Sequence, residues 1–302
     1  GLDNCNGTLK MKKQTGAVIL AELLKAYGIT HIFMVPAVLR RTMVEIEKKT
    51  NIKRLHVHSE KSAAYMADGY ARASGKPAIC MAQVIGALNI AAGLRDAFLA
   101  HSPVIAITGG REPKTKFKKV YQEVDDMPAF EPVTKLNATI DDVSRIPDMI
   151  DQAFRVSTSG SPGPAHLQLR GNEAQIDLEE FEFESNFRIS DTQIPPHRPI
   201  CDDTILNKAL GTIQTAKRPI IVAGGGAKHS KCSQELIEFA EKLNIPVATS
   251  LNGKDLIHST HPLSCGVVGT YSRESGNLSV KAADLVIFVG SETSSMTTHF
   301  WT

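Results

Sequence analysis

The chain has 302 residues, 42% of them hydrophobic, and its 34 Lys plus Arg nearly balance its 32 Asp plus Glu. That is apolar material enough for two packed domains, and a net charge of +2 offers neither the basic face of a nucleic-acid binder nor a polybasic membrane anchor. The five cysteines, Cys5, Cys80, Cys201, Cys232 and Cys265, are far apart, odd in number and without a C-x-x-C pair, which argues against a disulfide framework or a zinc site and fits a cytoplasmic protein.

Met11 reads as the natural start, so that residues 1–10 would be a tag remnant or a disordered extension, and residues 1–12 as a whole are left outside the first domain. No apolar run approaches the roughly 20 residues that span a bilayer. From there helical and strand periodicities alternate. Ala17, Leu20, Leu23 and Leu24 make a helical face, His31 to Val35 a strand, and Leu39, Met43 and Ile46 return to helical spacing. Arg54 to His58 reads as a strand. Ala63, Met66, Ala67, Tyr70 and Ala71 then place a helix from near Ser59, closed by Gly75 and Pro77. Strand Ala78 to Gln83, helix Ala87 to Ala100 and strand Val104 to Thr108 follow. Residues 111–131, with Lys114, Lys116, Lys118 and Lys119, read as a solvated loop.

A strand near Pro132 to Asn137, a helix from Asp141 to Ser157 and a strand Ala165 to Leu169 complete a first domain over residues 13–178. Strands alternating with helices predict right-handed βαβ units, hence an α/β fold with a doubly wound, mostly parallel sheet. The acidic, then proline-rich stretch 179–200 reads as a linker. Beyond it, a helix near 202–215, strand Pro219 to Ala223, helix Ser233 to Leu243, strand Ile245 to Thr249 and strand Asp284 to Gly290 predict a second, incomplete Rossmann-like α/β domain over 201–302. Gly224-Gly225-Gly226 fails the spacing of a dinucleotide loop, because the third glycine would fall at His229, and reads as a tight strand-to-helix turn. His56 with His58, and His258 with His261, lack a carboxylate or cysteine at ligand spacing and read as structural, so no metal ligands are assigned.

Glu60 falls in the first turn of its helix, just past the carboxyl end of a strand, which is the edge where open α/β sheets bind ligands. The segment His58 to Arg72 resembles the HE-x-x-A-x-x-M-A-D-G-Y-A-R stretch of thiamine diphosphate enzymes of the acetolactate synthase type. Gly86-Ala87-x-Asn89 resembles the end of that family's G-P-G-A-x-N loop, and Tyr121-Gln122-Glu123-x-Asp125 its F-Q-E-x-D segment. Pro132 to Lys135, Gly163 to Ala165, Ala223 to Ala227, Ile245 to Thr249 and Ala283 to Val286 extend the likeness in order along the chain.

The resemblance implies a pyrimidine-binding domain followed by part of a central domain. It implies that Glu60 hydrogen-bonds the aminopyrimidine of thiamine diphosphate, so that the ring's amino nitrogen can take the C2 proton. It further implies that Pro36, Gly86 and Asn89 line the cofactor, that Tyr121 and Gln122 face the substrate, and that Gln122 shares in catalysis. The substrate would be a 2-oxo acid, decarboxylated and its fragment transferred or released. A homodimer or homotetramer would build the site between subunits. FAD or an adenine nucleotide is a further cofactor that several such relatives carry in the central domain.

The departures are specific. Met34-Val35-Pro36-Ala37-Val38 lacks the family's glycines around the proline, and Val84-Ile85 replaces the first glycine and proline of the G-P-G loop. No Gly-Asp-Gly occurs, so the Mg²⁺ and diphosphate ligands are expected outside this chain, which alone should show no turnover. The alternative reading is a catalytically inactive paralogue or regulatory partner that retains the fold.

Overall fold

The computed structural model describes residues 11–184 and 194–301, and its contacts divide the chain into two units, 1–198 and 199–302. In the first unit the order is β1 (Met11–Thr15), α1 (Gly16–Ala26), β2 (His31–Met34), α2 (Arg40–Lys49), β3 (Lys53–His56), α3 (Glu60–Ser74), β4 (Ala78–Ala82), a 3₁₀ turn (Val84–Gly86) and α4 (Ala87–Leu99). Then come β5 (Val104–Gly109), α5 (Met127–Phe130), β6 (Leu136–Ile140), α6 (Ile146–Thr158), β7 (Ala165–Leu169) and β8 (Glu180–Glu184). Six strands form one sheet in the order β3-β2-β4-β5-β7-β6, every neighbouring pair parallel. Parallel neighbours require helical crossovers, so the loops that leave the strands all gather at one edge.

Two-residue alternation divides the central strands between two cores. Ile79, Met81, Ile105 and Ile107 point into a bulky core with α1 and α6, through Leu20, Leu24, Ile150 and Phe154. Ala78, Cys80, Ala82, Val104 and Ala106 point to the opposite face, where Ala63, Ala64, Ala67 and Ala71 of α3 meet Ala87, Ala91 and Ala97 of α4. Both faces are covered, the doubly wound arrangement that the alternating pattern predicts. The small residues let α3 and α4 lie close. A methyl at Gly93 would stand only 2.7 Å from Ala64 Cβ and 2.8 Å from the Lys61 carbonyl oxygen.

The structure differs from the sequence reading at several points. Residues 180–184, expected to start the linker, are β8, paired antiparallel with β1 from Thr15 opposite Glu180 to Met11 opposite Glu184. Glu-Phe-Glu-Phe-Glu is strictly alternating, and Phe181 and Phe183 pack on the first core, so acidity hid a strand. β1 likewise includes Met11 and Lys12, inside the stretch left outside the first domain; residues 1–10 lie outside the described residues. The strand expected at 132–137 starts at Leu136, because Glu131–Val133 form a 3₁₀ turn with Pro132 inside it.

The second unit runs α7 (Asp203–Thr215), β9 (Pro219–Ala223), α8 (Gly225–His229), α9 (Ser233–Leu243), β10 (Val247–Thr249), β11 (Ser264–Val267), α10 (Glu274–Ala282), β12 (Leu285–Val289) and α11 (Ser295–Thr298). Its sheet is parallel throughout in the order β11-β10-β9-β12. β11 escaped the periodicity because it is short, contains Gly266 at φ 84 and meets β10 across a register shift. The three glycines after β9 make the tight turn. A methyl on Gly226 would stand 2.9 Å from the Gly290 Cα, so close approach to the end of β12 requires glycine there.

Candidate active site

Glu60 is the first residue of α3. Ser59 is extended (φ −151°, ψ 149°) and its Oγ accepts from the Ser62 amide at 3.2 Å, the N-cap that fixes where the helix begins. Glu60 therefore lies at the positive end of the helix, beyond β3 on the loop-bearing edge of the sheet. The close α3–α4 contact brings the third residue of α4 alongside. Asn89 Nδ2 donates to Glu60 Oε2 at 3.0 Å. Glu60 is half-buried, and its Oε1 forms no hydrogen bond with the described residues.

Gly86 completes this group. A methyl there would stand 2.7 Å from both Cδ and Oε1 of Glu60, so the carboxylate lies directly over the glycine. Of the two residues that replace the family's glycine and proline, Val84 is buried and Ile85 is half exposed. Only Ile85 therefore adds side-chain bulk to the surface of the turn.

Pro36 is exposed on the loop after β2. The next residue, Ala37, has φ 80°, and Leu39 φ 48°. The backbone thus keeps a conformation that suits glycine with an alanine in place, at a cost of about 1–2 kcal/mol. Leu39 anchors the loop: its side chain is buried, and its amide donates to the Glu173 carbonyl at 2.8 Å.

Tyr121 and Gln122 lie on the long loop after β5. Tyr121 is 78% exposed, Gln122 is half-buried with φ 62°, and neither side chain is hydrogen-bonded to Glu60 or Asn89. Their loop is tied to the Glu60 group through Asn172. Asn172 Nδ2 donates to the Tyr121 carbonyl at 3.3 Å, and the Asn172 carbonyl accepts from the Val84 amide at 2.9 Å. Sequence reasoning missed Asn172; the signal was Gly171-Asn172, one residue past the end of β7, a turn pair at the ligand edge, with Gly171 at φ 97°.

Beneath these loops lie two buried polar groups. His166 in β7 is enclosed: Nδ1 donates to Asn137 Oδ1 at 2.7 Å, Nε2 accepts from Thr108 Oγ1 at 2.8 Å, and the ring stacks on Phe130 at 3.5 Å. Burial pushes its pKa down to about 3, so the ring stays neutral in a single tautomer. Asp126 is fully buried and accepts from Gln168 Nε2 at 2.6 Å. Burial raises its pKa above the usual carboxylate range, against the lowering effect of the Gln168 bond.

His56 and His58 are exposed, and His261 pairs with Glu241 at 2.8 Å. Among the described residues no three His, Cys, Asp or Glu side chains cluster to hold a metal ion, and no helix is long and apolar enough to cross a membrane.

Residues 14–129 match the family model described as the N-terminal TPP binding domain of thiamine pyrophosphate enzymes, and residues 206–302 match the model of their central domain. The chain is 33% identical over 280 residues to a probable acetolactate synthase large subunit of Methanocaldococcus jannaschii, covering 91% of the chain and 46% of that protein. It is 34% identical over 291 residues to an acetolactate synthase of Arthrospira platensis (93% and 49%). It is 30% identical over 288 residues to the acetolactate synthase isozyme 1 large subunit of Escherichia coli (94% and 50%). The chain thus spans about half the length of the curated relatives it matches.

Proposed function

Because the chain belongs to the acetolactate synthase-like thiamine pyrophosphate enzymes, we propose that its first domain presents Glu60 to the aminopyrimidine of thiamine diphosphate. The enzyme would decarboxylate a 2-oxo acid and transfer or release the remaining fragment. The observation that supports this most is the Glu60 carboxyl, with Oε2 held by Asn89 at 3.0 Å and Oε1 over Gly86 without a hydrogen-bond partner among the described residues.

When bound, thiamine diphosphate supplies a nucleophilic carbon and an electron sink for decarboxylation. The chain's residues supply position and a proton site. Oε1 of Glu60 is the oxygen available to a ring nitrogen, and Asn89 holds the carboxyl in the rotamer that offers it. Gly86, without a side chain, leaves room for that rotamer, and Pro36, exposed on the loop after β2, is assigned to the cofactor by the family likeness. Tyr121 and Gln122 take the substrate side on the loop that Asn172 ties to Val84. The ligands of the diphosphate and its Mg²⁺ are expected outside this chain segment, and a homodimer or homotetramer would build the site between subunits. A nucleotide such as FAD in the central domain has the family likeness as its support.

Titration of thiamine diphosphate into the full-length gene product and its Glu60→Ala variant tests the reading. Saturable binding that weakens in the variant, with 2-oxo acid decarboxylation abolished, supports it. Absence of binding by both proteins favours the alternative, an inactive paralogue or regulatory partner, for which the bulk of Ile85 beside Gly86 is the specific motive.

A further inference from the structure

The loop between β5 and α5 concentrates positive charge. Lys114, Lys116, Lys118 and Lys119 lie within six residues, all exposed, and none forms an ion pair among the described residues. Two nearby carboxylates are already engaged, Asp125 with Arg111 at 2.9 Å and Glu112 with Arg170 at 3.1 Å, while Asp126 is buried against Gln168. Glu123, half-buried, is the loop's one other carboxylate and forms no ion pair among the described residues, against four ammonium groups. Like charges so close repel one another; Lys116 Nζ lies 5.3 Å from the centre of the Phe117 ring, and no carboxylate among the described residues pairs with any of the four.

Two aromatic rings accompany the lysines into solvent, Phe117 at 90% exposure and Tyr121 at 78%. The backbone there is held out of its relaxed form, with Phe117 at φ 67°, Lys119 at φ 51° and Gln122 at φ 62°. The loop also has an address. It leaves the carboxyl end of β5, and the Asn172 bridge joins Tyr121 to Val84, in the turn that ends at Gly86 beneath Glu60.

A simple 2-oxo acid carries one carboxylate, for which one cation suffices. We propose that the 113–121 loop selects a substrate with a second anionic group, a phosphate or carboxylate, which the lysines attract while Phe117 and Tyr121 cover the carbon chain. This rests on the reading of the site given above. The loop acts through charge at the mouth of the site, so its effect is on capture and fades as salt screens it.

The test compares pyruvate, 2-oxoglutarate and 3-phosphohydroxypyruvate as substrates of the full-length protein loaded with thiamine diphosphate and Mg²⁺. The proteins are wild type, the K114Q/K116Q/K118Q/K119Q variant and the corresponding four-arginine variant. The glutamine variant should lose about tenfold more kcat/KM on at least one doubly charged substrate than on pyruvate, mainly through KM. The arginine variant should restore it, and the arm that loses most identifies phosphate or carboxylate. Equal losses on all three substrates, no loss, or a loss of thiamine diphosphate affinity overturns the proposal. If wild type turns over none of them, the functional reading fails separately. Calorimetric binding of 3-phosphohydroxypyruvate and 2-oxoglutarate then decides for the loop, according to whether wild type binds either one more tightly than the glutamine variant does.

Discussion

Asn89 and Glu60 belong to different helices, and the 3.0 Å hydrogen bond between them determines which carboxylate oxygen is left free. The bond exists because alanines and Gly93 let α3 and α4 approach closely with their N-termini side by side. If Glu60 contacts the cofactor, Asn89→Ala should lower thiamine diphosphate affinity roughly fivefold to tenfold, since a hydrogen bond to a charged, half-exposed group is worth about 1 kcal/mol. Titration of the full-length variant measures it. An unchanged affinity would remove Asn89 from the site.

Gly86→Ala should act on the same carboxylate from below. The backbone at Gly86 is ordinary (φ −88°), so alanine fits the chain, but its methyl would meet the Glu60 carboxyl. Overpacking of this kind costs about 1–3 kcal/mol. We expect weakened cofactor binding with the fold retained, seen by comparing titration with the far-ultraviolet melting curve. A variant that binds as wild type would show that Glu60 can move aside freely.

Ala37→Gly should stabilise the protein. Alanine at φ 80° costs about 1–2 kcal/mol, from which glycine's greater freedom in the unfolded chain subtracts about 0.5–1 kcal/mol. A net gain of about 0.5 kcal/mol in urea denaturation is the expected outcome. A loss would mean that the alanine methyl packs more favourably than its backbone suffers.

Much of this was legible in the sequence, for identifiable reasons. Central strands β4, β5 and β7 are buried on both faces and flanked by helices of strict periodicity, so their pattern is uninterrupted. Glu60 sits at the start of such a helix just past a strand, which placed it on the ligand edge from the pattern alone, whereas Asn89 was named only through the family resemblance. Peripheral strands were harder. β8 hides its Phe-x-Phe alternation among glutamates, and β11 joins its sheet through an irregular register, a tertiary property without a local signature. The Asn172 bridge depends on three loops meeting, and no spacing along one chain announces that.

Stability should fall on the acid side through His166. Its pKa drops from 6.5 in the unfolded chain to about 3 in the fold, so between these values the unfolded state binds the extra proton. Stability contributed by the neutral ring is complete above about pH 6.5 and is lost as pH falls toward about 3. Asp126 and Asp177, both raised by burial, bind protons more readily when folded and offset part of that loss. In His166→Gln the difference in urea stability between about pH 7.5 and pH 4.5 should shrink by more than about 1 kcal/mol relative to wild type. The same difference in both proteins would show that His166 does not govern acid stability.

The most direct measurement is hydrogen–deuterium exchange at C2 of thiamine diphosphate bound to the full-length protein, followed by NMR after acid quench, in wild type and Glu60→Gln. A carboxyl that holds a proton on the pyrimidine should speed exchange over free cofactor, and the glutamine variant, still binding, should lose on the order of a hundredfold of it. Equal exchange in the two proteins, with the cofactor bound to both, would contradict the role given to Glu60.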